Sequence, residues 1–186
     1  NPDVILKKNT IDEIISESNK IQHFSIIAPI SNKEDYPNYQ LDDLKHQTKH
    51  TLNPFKVKSV DGYAMIINLK RLNELESFKN NNFFDENIFL YLENDDLCKR
   101  IIDNNENIYV VPSSKITHLG ASAVDKKYNQ QVELSRNWHW IWSKFYYNKK
   151  HNGFFSALTN CLPTFISALI KYFFYLITMN SKKKKI

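Results

Sequence analysis

The clearest candidate for chemistry in this sequence is an acidic cluster of Glu93, Asp95 and Asp96, interrupted by Asn94. Three carboxylates within four positions repel one another, so such a cluster is usually balanced by a cation, a basic partner or solvent. A carboxylate in this setting can act as a general base. The alternative is an acidic helix start on a solvated face, since a helix N-terminus favours negative charge by about 0.3–1 kcal/mol per group.

Two further residues are of metal-ligand types. Asp3 directly precedes the apolar run Val4–Leu6, and His118 stands just before Gly120. Carboxylate and imidazole groups suit Mg or Mn, hard cations that also hold phosphate oxygens. A lone histidine can equally be structural. Together these residues favour a metal-assisted reaction at a phosphate-bearing substrate, with a carboxylate as the base.

The same patterns exclude several other classes of site. Three glycines are too few for a phosphate-cradling loop, and the sequence contains no Ser-His-Asp or Cys-His nucleophile motif. Gly62 lies inside an apolar run, which indicates either a bulge or a close approach of the backbone to a ligand. Two cysteines, Cys98 and Cys161, predict free thiols in a reducing compartment rather than a disulfide scaffold.

The elements that must position these residues predict a mixed α/β fold. Periodicity and turn signals predict a strand at Val4–Leu6, and then a helix over Thr10–Lys20 with a Thr10/Glu13 capping box and with Ile11, Ile14 and Ile15 inward. A strand over Phe24–Ile30, ended by Pro29, a long loop over 31–53, a strand pair within 57–68 and a helix over 69–78 follow. After the acidic cluster we expect a helix, a strand over Ile108–Val111 closed by Pro112, and a helix over about 124–150, broken at Gly153.

Composition bounds the possible partners. The 186 residues suffice for one domain with a real core, and the net charge is +5. The tail Lys182–Lys185 supplies most of that charge, so the near-neutral body argues against a nucleic-acid partner. The chain opens on Asn1-Pro2-Asp3 without a secretory signal, and we expect it to be a fragment of a longer protein.

The C-terminal stretch 154–179 is strongly apolar, with Lys171 as its one charge. Pro163 is expected to divide it, which leaves a run somewhat short of the about twenty residues that a spanning helix needs. Aromatic residues over 138–147 resemble an interfacial belt, and the terminal lysines would favour an anionic leaflet by about 1 kcal/mol each. We favour docking to a membrane surface, while a buried core helix and a true span stay open.

Several motifs, in order, resemble the C-terminal half of a family 2 glycosyltransferase of the rhamnosyltransferase-like branch. The resemblance covers about residues 1–153. The matching segments are Asn1-Pro2-Asp3-Val4, the V-D-G-Y-A-M-I run at 60–66, the F-D-E-N-I-F-L-Y-L-E-N-D-D-L-C-K-R run at 84–100, 108–112 with H-L-G-A-S at 118–122, and S-R-N at 135–137 with K-K-H-N-G at 149–153.

The resemblance implies the second half of a GT-A-type α/β sandwich, with the nucleotide-binding half absent. It implies an inverting, metal-dependent transfer of a sugar from a nucleotide-diphosphate donor to a hydroxyl of a glycan acceptor, which we expect to be lipid-linked. Asp3 and His118 would bind Mg or Mn. Gly62, Asn94 and Arg100 would contact substrate, and the acidic motif would supply the base.

The chain departs from the family pattern at two places. Asn94 stands where the family usually has the catalytic aspartate, and an amide cannot accept the acceptor's proton. Asp95 is our first choice as the base, Glu93 and Asp96 are the alternatives, and a catalytically weak copy stays open. Asn1 stands where a second metal-binding aspartate is common, so Asp3 would carry most of the charge.

The resulting prediction is a glycosyltransferase domain at 1–153 and membrane-associating helices with a basic tail at 154–186. It would act at the cytoplasmic face of the cell membrane in cell-surface polysaccharide synthesis, although the fragment alone should not turn over. Two rivals are kept: a non-catalytic binding or scaffold relative, and a basic peripheral membrane protein.

Overall fold

The fold is mixed α/β, as predicted, and the computed structural model describes residues 1–32, 36–41, 52–120 and 129–177. The chain divides into two compact units. The first comprises Asn1–Asp85 and Glu93–Ala123, and the second comprises Glu86–Leu92 and Val124–Ile186. The predicted boundary at residue 153 falls inside the second unit, at the joint between the two helices described there.

The first unit contains seven strands and three α-helices among its described residues. In chain order its elements are β1 (Val4–Leu6), α1 (Thr10–Lys20), β2 (Ile26–Ser31), β3 (Tyr39–Gln40), β4 (Phe55–Lys56), β5 (Ser59–Val60), β6 (Ile66–Ile67), α2 (Leu69–Asn73), a 3₁₀ helix (Glu76–Asn81), α3 (Glu93–Asp103) and β7 (Ile108–His118). The described helices of the second unit are α4 (Asn129–Asn152) and α5 (Phe154–Ile177).

The long strand β7 organises a mixed sheet. It runs parallel to β2 and pairs antiparallel with β4 near its start and with β1 at its end. β6 extends the sheet by pairing antiparallel with β2. The β3–β5 ribbon is separate. This topology brings the beginning of the chain to the end of β7.

Alternation along β2 creates a core on each face of the sheet. Ile26 and Ala28 pack into the larger cluster, together with Leu97 of α3. Ile27 points the other way and packs with Ile14 of α1. Since successive strand side chains point to opposite faces, helices cover both sides of the sheet. Ile14 is inward as predicted, but Ile11 and Ile15 are exposed.

The predicted capping box at Thr10 is wrong. Asn9 precedes the helix without a side-chain cap, and the Thr10 hydroxyl instead donates to the carbonyl of Lys115 at 2.6 Å. The Ser114 hydroxyl donates to the Thr10 carbonyl at 2.8 Å. These two hydrogen bonds hold the start of α1 against β7. A local sequence motif cannot predict such a tertiary contact.

Neither predicted proline stop holds, because both prolines lie beside an irregularity in the sheet. β2 continues through Pro29 to Ser31, and β7 continues through Pro112 to His118. Val111 lies opposite Pro29, whereas Ile30 lies opposite Lys115, so residues 112–114 bulge out of the ladder. A residue in a bulge is left out of the hydrogen-bonded ladder, so proline, which has no N–H, is tolerated there.

Two predicted helices also differ. The helix predicted over 69–78 divides into α2 and the 3₁₀ helix, with Leu72 buried and Leu75 packed against the core. Pro163 does not divide the C-terminal stretch, since α5 runs through it.

Other predictions are confirmed or lie beyond the described part of the chain. β1, α1 and the helix that begins at Glu93 are confirmed, and both cysteines are free and buried. Parts of the loop predicted over 31–53, residues 124–128, the end of the 154–179 stretch and the terminal lysines lie outside the described residues.

Candidate functional site

The register of β1 against β7 brings Asp3 and His118 together across 115 residues of sequence. Val4 lies opposite His118, and the Leu119 N–H donates to the Asp3 carbonyl at 2.9 Å. The Asp3 Oδ2 and His118 Nε2 atoms are 3.2 Å apart. This pair is called the Asp3–His118 corner below.

The Asp3–His118 corner has an unsatisfied acceptor. Asp3 is 9% exposed, and its Oδ1 atom is buried without a hydrogen-bond partner. Burying such an oxygen unpaired is unfavourable, so this atom is a natural place for a bound cation or donor. The Tyr63 ring stacks on the His118 ring, with centroids 3.8 Å apart and an interplanar angle of 22°, and this contact fixes the imidazole.

The second part of the site is the acidic start of α3, which is fastened to β5. The Asn94 side-chain amide donates to the Val60 carbonyl at 2.9 Å. A deprotonated aspartate could not make this bond, because it has no donor. A Cβ on Gly62 would meet the Asn94 Cβ at 3.4 Å, an ordinary contact, so neither crowding nor a positive φ requires glycine there.

Asp95 has an environment suited to proton transfer. Burial raises the pKa of its carboxyl group, and a hydrogen bond from the Ser59 hydroxyl lowers it in part. A raised carboxyl pKa brings a base closer to the working pH of most enzymes. Asp95 is therefore the acidic residue of α3 whose setting best fits a general base.

Asp61 links the two parts of the site and was missed as a functional residue by the sequence analysis. Although it lies at the surface, loss of hydration raises its pKa, the Asp95 charge raises it further, and His118 lowers it. Its carboxylate thus interacts with both Asp95 and His118. The available signal was its position between the end of β5 and Gly62.

The other predicted acidic residues have different surroundings. Glu93 begins α3, and its Oε2 atom is buried without a hydrogen-bond partner. Asp96 is fully buried and accepts from Arg100 Nε at 2.9 Å. Arg100 also donates to the carbonyls of Asn82 and Phe83. Asp96 and Arg100 thus have structural partners, and their predicted action on substrate stays a prediction.

Cys98 lies behind the acidic cluster but is not suited to nucleophilic attack. Burial raises the pKa of its thiol to about 12, so the reactive thiolate is scarce near neutral pH.

The donor set fits a hard divalent cation that shares its ligands with a substrate. Within the described ranges, no group of three or more His, Cys, Asp or Glu side chains is placed to hold a metal ion. Mg is commonly bound through one or two carboxylates together with substrate phosphates. The unpaired Asp3 Oδ1 beside His118 suits that mode of binding.

Comparisons with known proteins add no assignment: no protein-family model matches this chain, and a search of curated proteins gives no match.

Proposed function

We propose that this chain carries the acceptor-side half of an inverting, metal-dependent glycosyltransferase with a GT-A-type fold. The observation that carries the proposal is the Asp3–His118 corner, with its buried unpaired oxygen, in the same unit as the acidic start of α3. Asp61 supports it further, because it interacts electrostatically with both parts. These are the two chemical needs of the reaction, a diphosphate-binding end and a base.

At the diphosphate end, Asp3 and His118 would hold Mg or Mn. When bound, the cation supplies charge stabilisation for the diphosphate leaving group. The Tyr63 ring keeps the imidazole in one orientation, and burial raises the pKa of the Tyr63 hydroxyl.

At the acceptor end, Asp95 is the proposed base. The acceptor hydroxyl gives its proton to the Asp95 carboxylate, and its oxygen attacks the anomeric carbon of the donor sugar. The bond from that carbon to the diphosphate oxygen breaks, and its electron pair leaves with the diphosphate. One displacement inverts the configuration. Glu93 is the alternative base because its Oε2 atom is also buried and unpaired.

An exposed apolar face on the first unit is consistent with this proposal. Leu6 of β1 and Ile11 of α1 are 52% and 48% exposed, and both line a cavity of about 270 Å³ that Tyr63 also borders. In a GT-A-type enzyme, the nucleotide-binding half would cover such a face and would bring the donor to the Asp3–His118 corner.

Turnover by the full-length protein tests the assignment of the base. With a panel of nucleotide sugars and glycan acceptors, we expect Asp95→Asn to lower kcat by about 10²–10⁴-fold, because general-base catalysis is lost. The affinity for the nucleoside diphosphate should be unchanged, since Asp95 acts at the acceptor end.

Asp103→Asn is the matched control, because Asp103 is an exposed residue of the same helix that pairs with Lys99. It should retain full turnover. Normal turnover by Asp95→Asn would reject Asp95, and a loss in Glu93→Gln instead would transfer the role to Glu93. Full-length protein that binds no nucleoside diphosphate would reject the glycosyltransferase proposal itself.

One observation favours a second candidate, a non-catalytic relative that binds a glycan or nucleotide. The amide of Asn94 is committed to the Val60 carbonyl, so the family's usual base position has a structural role in this chain. Nucleotide-sugar binding without any transfer would favour this candidate.

A further inference from the structure

Among the described residues, helix α5 carries more exposed large apolar side chains than any other element. Exposed large apolar side chains run along its length: Phe154, Phe155, Leu158, Leu162, Phe165, Ile166, Leu169, Ile170, Phe173 and Ile177. The span Phe154–Phe174 is long and apolar enough to cross a membrane, and only 11% of it is buried. A surface of this size on a protein usually marks an interaction site.

The exposed surface occupies one broad sector of α5. At 3.6 residues per turn, Leu162, Ile166, Ile170 and Phe173 lie on one side of the helix. Asn160, Ser167 and Lys171 form a polar stripe at i, i+7 and i+11 on another side. A dimer seam needs only a narrow apolar stripe, whereas a helix embedded in lipid can use a broad one.

The first two turns of α5 pack against α4, and Asn160 of the polar stripe takes part in this contact. Ala157 is fully buried, the rings of Phe145 and Phe154 meet at 6.2 Å, and the Asn160 amide donates to Asn148 Oδ1 at 3.1 Å. Polar residues of α4 therefore accompany α5 through its first two turns.

Charge in the second unit favours an anionic partner. Its described residues include five basic side chains (Arg136, Lys144, Lys149, Lys150 and Lys171) against two acidic ones (Glu86 and Glu133). The described part of the first unit has the opposite balance, with thirteen acidic and eleven basic side chains. The positive charge thus accompanies the apolar helix.

We propose that α5 lies in the plane of an anionic lipid surface, with the sector of Leu162, Ile166, Ile170 and Phe173 embedded among the acyl chains. Lys149 and Lys150, at the end of α4, remain at the level of the lipid head groups. This inference is independent of the proposed glycosyl transfer, since it uses only residues of the second unit.

Vesicle flotation of the full-length protein tests the proposal. Wild type should float with phosphatidylcholine vesicles that contain added phosphatidylglycerol, and bind more weakly to phosphatidylcholine alone. The triple variant Ile166→Asp/Ile170→Asp/Phe173→Asp should bind at least about tenfold more weakly, because three embedded apolar side chains are lost. Lys149→Gln/Lys150→Gln should lose only the preference for the anionic vesicles.

The matched control is Leu52→Asp/Leu69→Asp/Ile102→Asp, which changes exposed apolar residues of the first unit. It should float like wild type, and circular dichroism should give all variants the same helix content. Equal flotation of wild type and the α5 variant would overturn the proposal. The proposal would also be overturned if wild type did not float but self-associated in sedimentation, and the α5 variant abolished that self-association. The apolar surface would then bind a second copy of the chain. Resistance to alkaline carbonate extraction would reject the in-plane arrangement in favour of a span.

Discussion

At the residue scale, the four adjacent polar residues at the start of α3 have different contacts. Asn94 donates to β5, Asp95 faces Ser59 and the charge of Asp61, and Asp96 is buried against Arg100. Glu93 keeps a buried unpaired oxygen. The cluster predicted from the sequence is therefore not one acidic patch. Asp96 is the carboxylate with an arginine partner, which leaves Glu93 and Asp95 as the candidates for the proposed proton transfer.

Asp95→Asn and Asp96→Asn should have different effects on folding stability. Asp96→Asn leaves Arg100 without its charge partner and should lower the free energy of unfolding by about 2–3 kcal/mol, a reduced cost because Arg100 keeps its two carbonyl partners. Asp95→Asn should leave the stability at neutral pH unchanged or raised, since burial disfavours the charged carboxylate. Urea unfolding of both variants measures the difference.

The pH dependence gives a second readout for Asp95. Its pKa is raised in the folded state, so between the ordinary value of about 3.9 and the raised value the folded protein binds more protons than the unfolded chain. The contribution of Asp95 to the free energy of unfolding therefore falls as pH rises through this window. Asp95→Asn should remove that part of the fall. If the free energy of unfolding depended on pH identically in wild type and variant, the raised pKa of Asp95 would be contradicted.

At the element scale, local patterns predicted elements but not where the sheet tolerates irregularity. β1, α1 and α3 have strong apolar periodicity or helix-start signals, and these were found. The stops at Pro29 and Pro112 were wrong because both prolines lie at a bulge that only the pairing of β2 with β7 defines. The predicted capping box was wrong because the Thr10 hydroxyl donates to the Lys115 carbonyl instead.

Gly153 and Gly62 should respond differently to alanine, which separates a backbone requirement from a ligand requirement. Gly153 joins α4 to α5 with a φ of +85°, so Gly153→Ala should destabilise the second unit by about 1–2 kcal/mol. Gly62 has no such strain and only an ordinary contact with Asn94. Gly62→Ala should therefore stay within about 0.5 kcal/mol of wild type.

Thermal unfolding followed by circular dichroism measures both glycine variants. A loss of substrate binding by Gly62→Ala at unchanged stability would support its predicted contact with substrate. Equal stability of Gly153→Ala and wild type would show that the joint does not require glycine.

At the scale of the whole molecule, residue types alone marked Asp3 and His118 as separate candidates, and only the family resemblance assigned both to one metal. Their contact depends on the antiparallel register of β1 with β7, across 115 residues of chain. Asp61 could not be distinguished from other surface acids without the positions of Asp95 and His118. The apolar C-terminal helix was visible from composition, but its continuity through Pro163 was not.

The two units differ in net charge among their described residues, and this difference agrees with both proposals. The first unit holds the acidic site and a net negative charge among its described residues, and the second holds the exposed apolar helix and the basic side chains. A transferase that acts on a lipid-linked acceptor would need both properties in one chain.

The central claim, that the Asp3–His118 corner holds a divalent cation with a diphosphate, is tested most directly by Mn²⁺ binding. Electron paramagnetic resonance of the full-length protein, titrated with Mn²⁺ in the presence of a nucleoside diphosphate, measures this affinity. Asp3→Asn and His118→Gln should each weaken it by at least about tenfold. Asp12→Asn, in the exposed first turn of α1, should leave it unchanged. Wild-type affinity in both Asp3→Asn and His118→Gln would contradict the claim.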